Sequence, residues 1–203
     1  MDLNQDERLD LVLFDRTTSK ISTFINEGNS YSYQPQYEYL FPTGLNGWMI
    51  LADYNCDGKK DLFTNTTFGL KVYQNVGVDA PAFTLLVDPL TTDINGLDVN
   101  LQVSASDIPA IADVDGDGDL DILIFDFAIG GKVEWHQNQS MQDNGNCSEL
   151  SFQLATDSWG NFQECNCGVY EFGGTCSNPG GRQAHAGGKS LFCLLYTSDA
   201  ADD

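Results

Sequence analysis

Basic residues are scarce in this sequence. It has nine Lys and Arg residues against 30 Asp and Glu residues, and its formal net charge is −21. A surface with so few cations cannot bind nucleic acid or an anionic membrane through a broad basic face. The composition therefore predicts no nucleic-acid partner, and the excess of acid serves either solubility or the binding of metal ions.

Long apolar runs and a sustained helical period are also missing. No apolar run reaches the roughly 18 residues that a bilayer-spanning helix needs, so no membrane insertion is expected. No signal peptide is visible either, because Met1 is followed by Asp2 rather than by a basic and then an apolar segment. Apolar residues nevertheless make up 41% of the chain, as is typical of a globular protein.

Histidine, the commonest general base, occurs only at His136 and His185. His136 lies in a strand-like run and is interpreted as a packing residue, whereas His185 lies in a Gly-rich stretch without an identifiable partner. The sequence has neither a G-x-S-x-G nucleophile motif nor a phosphate-binding loop. It therefore predicts a protein that is not itself an enzyme.

Aspartate is abundant, and much of it falls in a nine-residue pattern that occurs three times. The copies are loop 1 (2–10), loop 2 (53–61) and loop 3 (113–121), and their spacing is nearly regular. Position 1 is Asp, position 3 is Asn or Asp, and positions 5 and 9 are Asp in every copy. Position 6 is Gly58 or Gly118 in loops 2 and 3. In loop 1 it is Glu7, which disfavours the positive φ expected there.

Closely spaced carboxylates of this kind suit a hard divalent cation, and calcium accepts six to eight oxygen ligands in a tolerant geometry. The EF-hand is excluded because its loop has twelve residues, closes with Glu and lies between helices. Each loop here closes with Asp at position 9 and is flanked by strand-like residues. Acidic turns without a bound ion are the remaining alternative.

Short apolar runs flank each loop, with the alternation that is typical of half-buried strands. The predicted strands of the first repeat cover 11–14, 22–26 and 37–41, those of the second 48–51, 62–63, 71–75 and 82–86, and those of the third 108–111, 122–125, 133–138 and 150–154. Four antiparallel strands that recur with each copy of the loop are typical of propeller blades.

The three repeats, over residues 2–138, resemble the FG-GAP and VCBS-type repeats of integrin-like β-propellers, most specifically in the Asp-Val-Asp-Gly-Asp-Gly-Asp-Leu-Asp sequence of loop 3. The resemblance implies an all-β fold, a partial β-propeller of four-stranded antiparallel blades with calcium loops between the first and second strands. It also implies Ca²⁺ ligands from the side chains at positions 1, 3, 5 and 9 and from the backbone carbonyl at position 7. The implied side-chain ligands are Asp2, Asn4, Asp6 and Asp10; Asp53, Asn55, Asp57 and Asp61; and Asp113, Asp115, Asp117 and Asp121. The implied carbonyl ligands are those of Arg8, Lys59 and Asp119.

On this interpretation, the first blade covers residues 1–45, the second blade covers residues 46–105 and the third blade covers residues 106–192. The third blade includes a Cys-rich insertion that leads to a further blade. Residues 193–203 resemble a translated sequencing adapter, so both ends are expected to be cut. Loop 2, the third repeat and the insertion together are similar to secreted Bacteroidetes-type repeat proteins.

Six cysteines suggest an oxidising compartment. If Cys193 belongs to the tail, Cys147, Cys165, Cys167 and Cys176 can form two disulfides of undetermined connectivity, and Cys56 is then free. The alternative is a zinc site made by Cys165, Cys167, Cys176 and His185.

We therefore expect an extracellular or cell-surface β-propeller that is stabilised by calcium. It would bind a protein or a polysaccharide as an adhesion or scaffold module. The alternative is the propeller portion of a secreted polysaccharide lyase or hydrolase, with its catalytic groups largely outside this chain.

Overall fold

The computed structural model describes residues 1–128, 130–166 and 169–173. The predicted adapter-like tail at 193–203 and the residues Cys167, Cys176 and His185 lie outside the described residues. Within them, no helix combines the length and the hydropathy that crossing a membrane requires.

Sheet 1 contains three antiparallel strands in chain order. They are β1 (Leu11–Asp15), β2 (Lys20–Asn26) and β3 (Tyr31–Tyr33). The prediction of an outer strand at residues 37–41 is wrong, because β3 is the outer strand and Pro35–Leu40 is a 3-10 helix. Pro35 has no N–H to donate to a strand ladder and is favoured in the first turn of a helix.

Sheet 2 is a four-stranded antiparallel sheet in chain order, as predicted. Its strands are β4 (Met49–Ala52), β5 (Asp61–Thr66), β6 (Gly69–Asn75) and β7 (Phe83–Val87). Strand β5 is buried on both faces, and neither Leu62 nor Phe63 is exposed to solvent. Sheet 2 therefore lies between two other layers.

Sheet 3 contains the four predicted antiparallel strands of the third repeat and a hairpin that the sequence analysis missed. Its strands are β8 (Thr91–Ile94), β9 (Leu97–Asn100), β10 (Ala110–Ala112), β11 (Asp121–Phe125), β12 (Val133–Asn138) and β13 (Phe152–Thr156). Strand β8 pairs in parallel with β13, so a hairpin from the segment assigned to the second blade covers the outer edge of the third repeat.

The segment after β12 is structured where it is described. It contains the short helix α1 (Ser140–Asn144), a 3-10 helix at Trp159–Asn161 and the hairpin of β14 (Phe162–Asn166) and β15 (Val169–Phe172). The backbone N–H of Glu164 donates to the carbonyl of Gly131, which joins this hairpin to sheet 3.

Two apolar cores stack the three sheets in series, with sheet 2 in the middle. The core between sheets 1 and 2 is built on Leu3, Ile25, Phe41, Leu45 and Leu62. The core between sheets 2 and 3 is built on Trp48, Ala52, Tyr54, Phe63, Leu70, Val72, Leu90, Leu101, Val103, Ile122, Ile124 and Phe152. The described residues thus form an all-β stack of sheets and do not close into a ring.

Gly69, at the start of β6, shows how closely the backbone packs in the second core. Its φ is +137°, and a Cβ added there would lie 2.3 Å from the carbonyl oxygen of Leu101. We expect Gly69→Ala to lower the free energy of unfolding by about 3 kcal/mol, because alanine would meet both backbone strain and a clash. Urea unfolding followed by tryptophan fluorescence measures this loss.

Gly96→Ala is the matched control. Gly96 also has a positive φ, +84°, but an added Cβ would have nothing within 4 Å. We expect it to lose only about 1 kcal/mol, through backbone strain alone. Equal losses in the two variants would contradict the role assigned to the Gly69–Leu101 contact.

Candidate metal centres

The three loops follow the same backbone path. Loop 2 joins β4 to β5, loop 3 joins β10 to β11, and loop 1 leads into β1. Positions 4 and 6 have positive φ in every copy: 60° and 65° in loop 1, 59° and 83° in loop 2, and 82° and 107° in loop 3. Glu7 therefore adopts the conformation that its residue type disfavours, and loop 1 keeps the path of the other two loops.

The carboxylate at position 9 closes each loop through two backbone hydrogen bonds. In loop 2, one oxygen of Asp61 accepts from the N–H of Tyr54 at 3.1 Å and the other from the N–H of Asn75 at 2.7 Å. Asp10 accepts in the same way from Leu3 and Asn26, and Asp121 from Val114 and Asn138. We call this pair of hydrogen bonds the clasp, because it ties the start of the loop to the end of the second strand after the loop, which is the third strand of a complete repeat.

All three clasp carboxylates are buried, with at most 6% of the residue exposed. Burial raises the pKa of Asp61 and Asp121 above the usual range, against the opposing effect of the backbone N–H groups whose hydrogen bonds they accept. Since both oxygens of each clasp carboxylate already accept hydrogen bonds, these residues serve the architecture whether or not they also contact an ion.

The asparagine that ends the third strand of each repeat is the site residue whose role the sequence analysis missed. Asn26 and Asn75 donate from their side-chain amides to the carbonyls of Leu9 and Lys60, at position 8 of their loops. Asn138 donates instead to the carbonyl of Glu149. The available signal was the recurrence of Asn at the end of the second predicted strand after each loop.

Loop 3 brings its first three carboxylates together. Ligand oxygens of Asp113, Asp115 and Asp117 all lie within 4.8 Å of one another, whereas Asp121 is held in the clasp outside this group. Each pair of such charges repels by about 1–4 kcal/mol near a surface. Oxygen-only donors at this spacing fit a hard cation such as Ca²⁺.

Loops 1 and 2 differ from loop 3 because position 3 is Asn and position 7 is basic. Arg8 lies 2.5 Å from a carboxylate oxygen of Asp6, and Lys59 lies 3.6 Å from one of Asp57. The pKa of Asp6 is lowered, first by the side-chain hydrogen bond from Asn4. The predicted carbonyl ligands of Arg8, Lys59 and Asp119 each follow the positive-φ residue at position 6.

The side chain of Asp119 is a second feature that the sequence analysis missed. The residue is fully buried, and its Oδ2 accepts a hydrogen bond from the backbone N–H of Met141 at 2.9 Å. Its Oδ1 has no hydrogen-bond partner. Burial raises the pKa of Asp119 to about 6.

The expectation that Cys147 pairs with another cysteine of the insertion and leaves Cys56 free is wrong. Cys56, at position 4 of loop 2, forms a disulfide with Cys147, at a sequence separation of 91, and is not free. Its sulfur also lies 3.6 Å from the carbonyl oxygen of Gly118, so loops 2 and 3 are neighbours. Cys165 is disulfide-bonded too, which removes a ligand from the alternative zinc site.

His136 is confirmed as a packing residue. Only 2% of it is exposed, and its ring nitrogens face the hydroxyl of Thr92 at 3.0 Å and the carboxylate of Glu134 at 3.4 Å. Its contact with Thr92 helps to attach the β8–β9 hairpin to the other strands of sheet 3.

The clasp can be tested with Asp61→Asn. The amide retains one acceptor but turns an NH₂ group toward a backbone N–H, so we expect the free energy of unfolding to fall by about 1–3 kcal/mol. Urea unfolding in EGTA separates this effect from any ion. Asp98→Asn, on the exposed strand β9, removes the same charge and is expected to leave stability unchanged; a similar loss there would contradict the clasp.

The disulfide can be tested with Cys56→Ser. Opening the loop that this bond closes is expected to cost about 4–5 kcal/mol of stability on the chain-entropy relation. Cys147→Ser should cost the same within error, and the double variant no more than either single one. Additive losses, measured by thermal unfolding, would show that the two residues do not act as a pair.

Comparison with known proteins gives a family match for the first part of the chain. Residues 2–64 match the model described as an FG-GAP-like repeat. No curated protein and no solved structure matches this chain. The matched segment contains loops 1 and 2, sheet 1 and most of the first two strands of sheet 2. Residues 2–64 are therefore similar to FG-GAP-like repeats, and sheet 3 carries the same loop and clasp beyond the matched segment.

Proposed function

We propose that this chain is part of an extracellular β-propeller that calcium stabilises and that binds a protein or polysaccharide partner, as an adhesion or scaffold module. The observation that carries the proposal is the convergence of Asp113, Asp115 and Asp117, whose oxygens lie within 4.8 Å of one another. No Lys or Arg among the described residues forms an ion pair with them.

Calcium would have a structural role here. It would neutralise the carboxylates at positions 1, 3 and 5 and thereby hold the turn between the first two strands of the repeat. The clasp connects that turn to the third strand, so an ordered loop fixes the positions of three strands relative to one another. A structural role of this kind requires no cleft in which a substrate would react.

The burial of equivalent positions supports a propeller. The residue after the clasp Asp is Leu62 in sheet 2 and Ile122 in sheet 3; both are 0% exposed and face the preceding sheet. The equivalent Leu11 of sheet 1 is 40% exposed, and Leu13 is 47% exposed. Sheet 1 thus presents to solvent the face that sheets 2 and 3 bury, and a further sheet of the same kind would cover it.

The disulfide supports an extracellular location. The Cys56–Cys147 bridge is of the kind that forms and persists in an oxidising environment. The alternative of a lyase or hydrolase gains no support from His136, which is buried within sheet 3. A rigid stack of sheets with long connecting segments favours a binding role.

Calcium dependence of stability tests this proposal. If each site binds with a dissociation constant of about 10⁻³ M, as in extracellular modules, about 10 mM CaCl₂ should stabilise the protein by about 1.4 kcal/mol per site. The melting temperature should therefore be higher in CaCl₂ than in EGTA, and MgCl₂ should have a smaller effect. Differential scanning calorimetry measures all three conditions.

Asp115→Asn combined with Asp117→Asn is expected to remove most of the calcium response of loop 3. The exposed pair Asp98→Asn and Asp157→Asn loses the same charge outside the loops and is the matched control. A melting temperature that does not respond to CaCl₂ in the native chain, or that responds equally in both double variants, would contradict the proposal.

A further inference from the structure

Position 7 is where the three loops differ most in chemistry. It is Arg8 in loop 1, Lys59 in loop 2 and Asp119 in loop 3, whereas positions 1, 5 and 9 are Asp throughout. The formal charges of the nine-residue loops follow: 1 − 4 = −3 in loop 1, 2 − 3 = −1 in loop 2 and 0 − 5 = −5 in loop 3.

In loops 1 and 2, the basic side chain lies on the carboxylate that a cation would use. Arg8 is 2.5 Å from Oδ2 of Asp6, and Lys59 is 3.6 Å from Oδ2 of Asp57. Both Asp residues are at position 5. A divalent ion in either loop must therefore displace or tolerate a cation that the chain itself supplies.

In loop 3, neutral amides take the place of these cations. Gln137 donates to Oδ2 of Asp115 at 2.5 Å, and Gln142 donates to Oδ2 of Asp117 at 2.6 Å. These contacts hold the carboxylates in place and leave their charge unneutralised. The loop thus has its acidic groups assembled without an internal competitor among the described residues.

Asp119 adds a buried acidic group behind this cluster. It is 0% exposed, its Oδ1 has no hydrogen-bond partner, and it is close enough to Asp117, Asp121 and Asp115 for their charges to act on it. A buried carboxylate with an unpartnered oxygen is costly. A divalent cation held by Asp113, Asp115 and Asp117 would reduce that cost.

We propose that the side chain at position 7 sets the affinity of each loop for Ca²⁺. Loop 3 then binds Ca²⁺ most tightly, and Arg8 and Lys59 weaken its binding by loops 1 and 2. This inference rests on the proposed calcium site. A unit charge about 6 Å from a divalent ion changes its affinity about tenfold even at the dielectric constant of water. Position 7 thus separates loop 3 from loops 1 and 2, in addition to the Asn or Asp at position 3.

The test isolates single loops by isothermal titration with CaCl₂ in metal-free buffer. Asp6→Asn with Asp117→Asn leaves loop 2 intact, and Asp6→Asn with Asp57→Asn leaves loop 3 intact, because each change removes the Asp at position 5 of its loop. In the first background, Lys59→Asp should tighten binding at least about tenfold. Lys60→Asp makes the same charge change at the next residue, whose side chain is exposed and forms no ion pair among the described residues, and should have a much smaller effect.

In the second background, Asp119→Asn should weaken binding about tenfold. Asn retains an acceptor for the Met141 N–H, and circular dichroism verifies that the variant folds. Asp143→Asn, at an exposed position of helix α1, is the matched loss of charge and should have little effect. If Asp119→Asn does not fold, the comparison of Lys59→Asp with Lys60→Asp in the first background tests the role of position 7.

The outcomes separate this inference from the proposed function. Equal shifts for Lys59→Asp and Lys60→Asp, or for Asp119→Asn and Asp143→Asn, would overturn the role of position 7 while calcium binding stands. An absence of binding in every background, including the native chain, would overturn the proposed function itself. If loop 3 binds Ca²⁺ more tightly than loop 2, and if Lys59→Asp and Asp119→Asn shift the affinity while their controls do not, the result would establish both the calcium sites and the role of position 7.

Discussion

The clasp at position 9 is the interaction on which the rest of each repeat depends. One buried carboxylate accepts hydrogen bonds from two backbone N–H groups that belong to separate segments of the chain, as when Asp61 joins Tyr54 to Asn75. The carboxylate provides two acceptors on a short, stiff side chain, which a neutral residue of this size does not. Because the same geometry recurs at Asp10 and Asp121, the loop, the second strand and the end of the third strand form one unit in every repeat.

Packing between sheets uses the two faces that each second strand offers. In β5, Leu62 points into one core and the adjacent Phe63 into the other, since successive side chains of a strand alternate between faces. The clasp Asp immediately before Leu62 holds the register of this alternation. A loop suited to binding an ion therefore also determines which apolar side chains face which neighbouring sheet.

The three loops share a backbone path but differ in the charge of their side chains. Their common positive-φ residues at positions 4 and 6 allow the carboxylates to converge, and even Gln5 and Glu7 adopt this conformation in loop 1. Local charge then separates the loops, because Arg8 and Lys59 lie against the Asp at position 5, whereas the equivalent Asp117 of loop 3 accepts from the neutral amide of Gln142. The backbone path and the local charge are thus carried by different residues of the same nine-residue segment.

The sequence by itself determined the repeat, the ligand-type residues of the loops and nearly every strand next to them, because alternation and the spacing of Asp residues are local properties of the chain. The Asn95-Gly96 turn of the β8–β9 hairpin was also readable, since both residues adopt the positive φ that this dipeptide favours. Only the tertiary structure decided that β8 pairs with β13, that Cys56 meets Cys147, and that the side chain of Asp119 is buried. Each of these depends on which surfaces meet once the sheets stack, and no spacing along the chain specifies that.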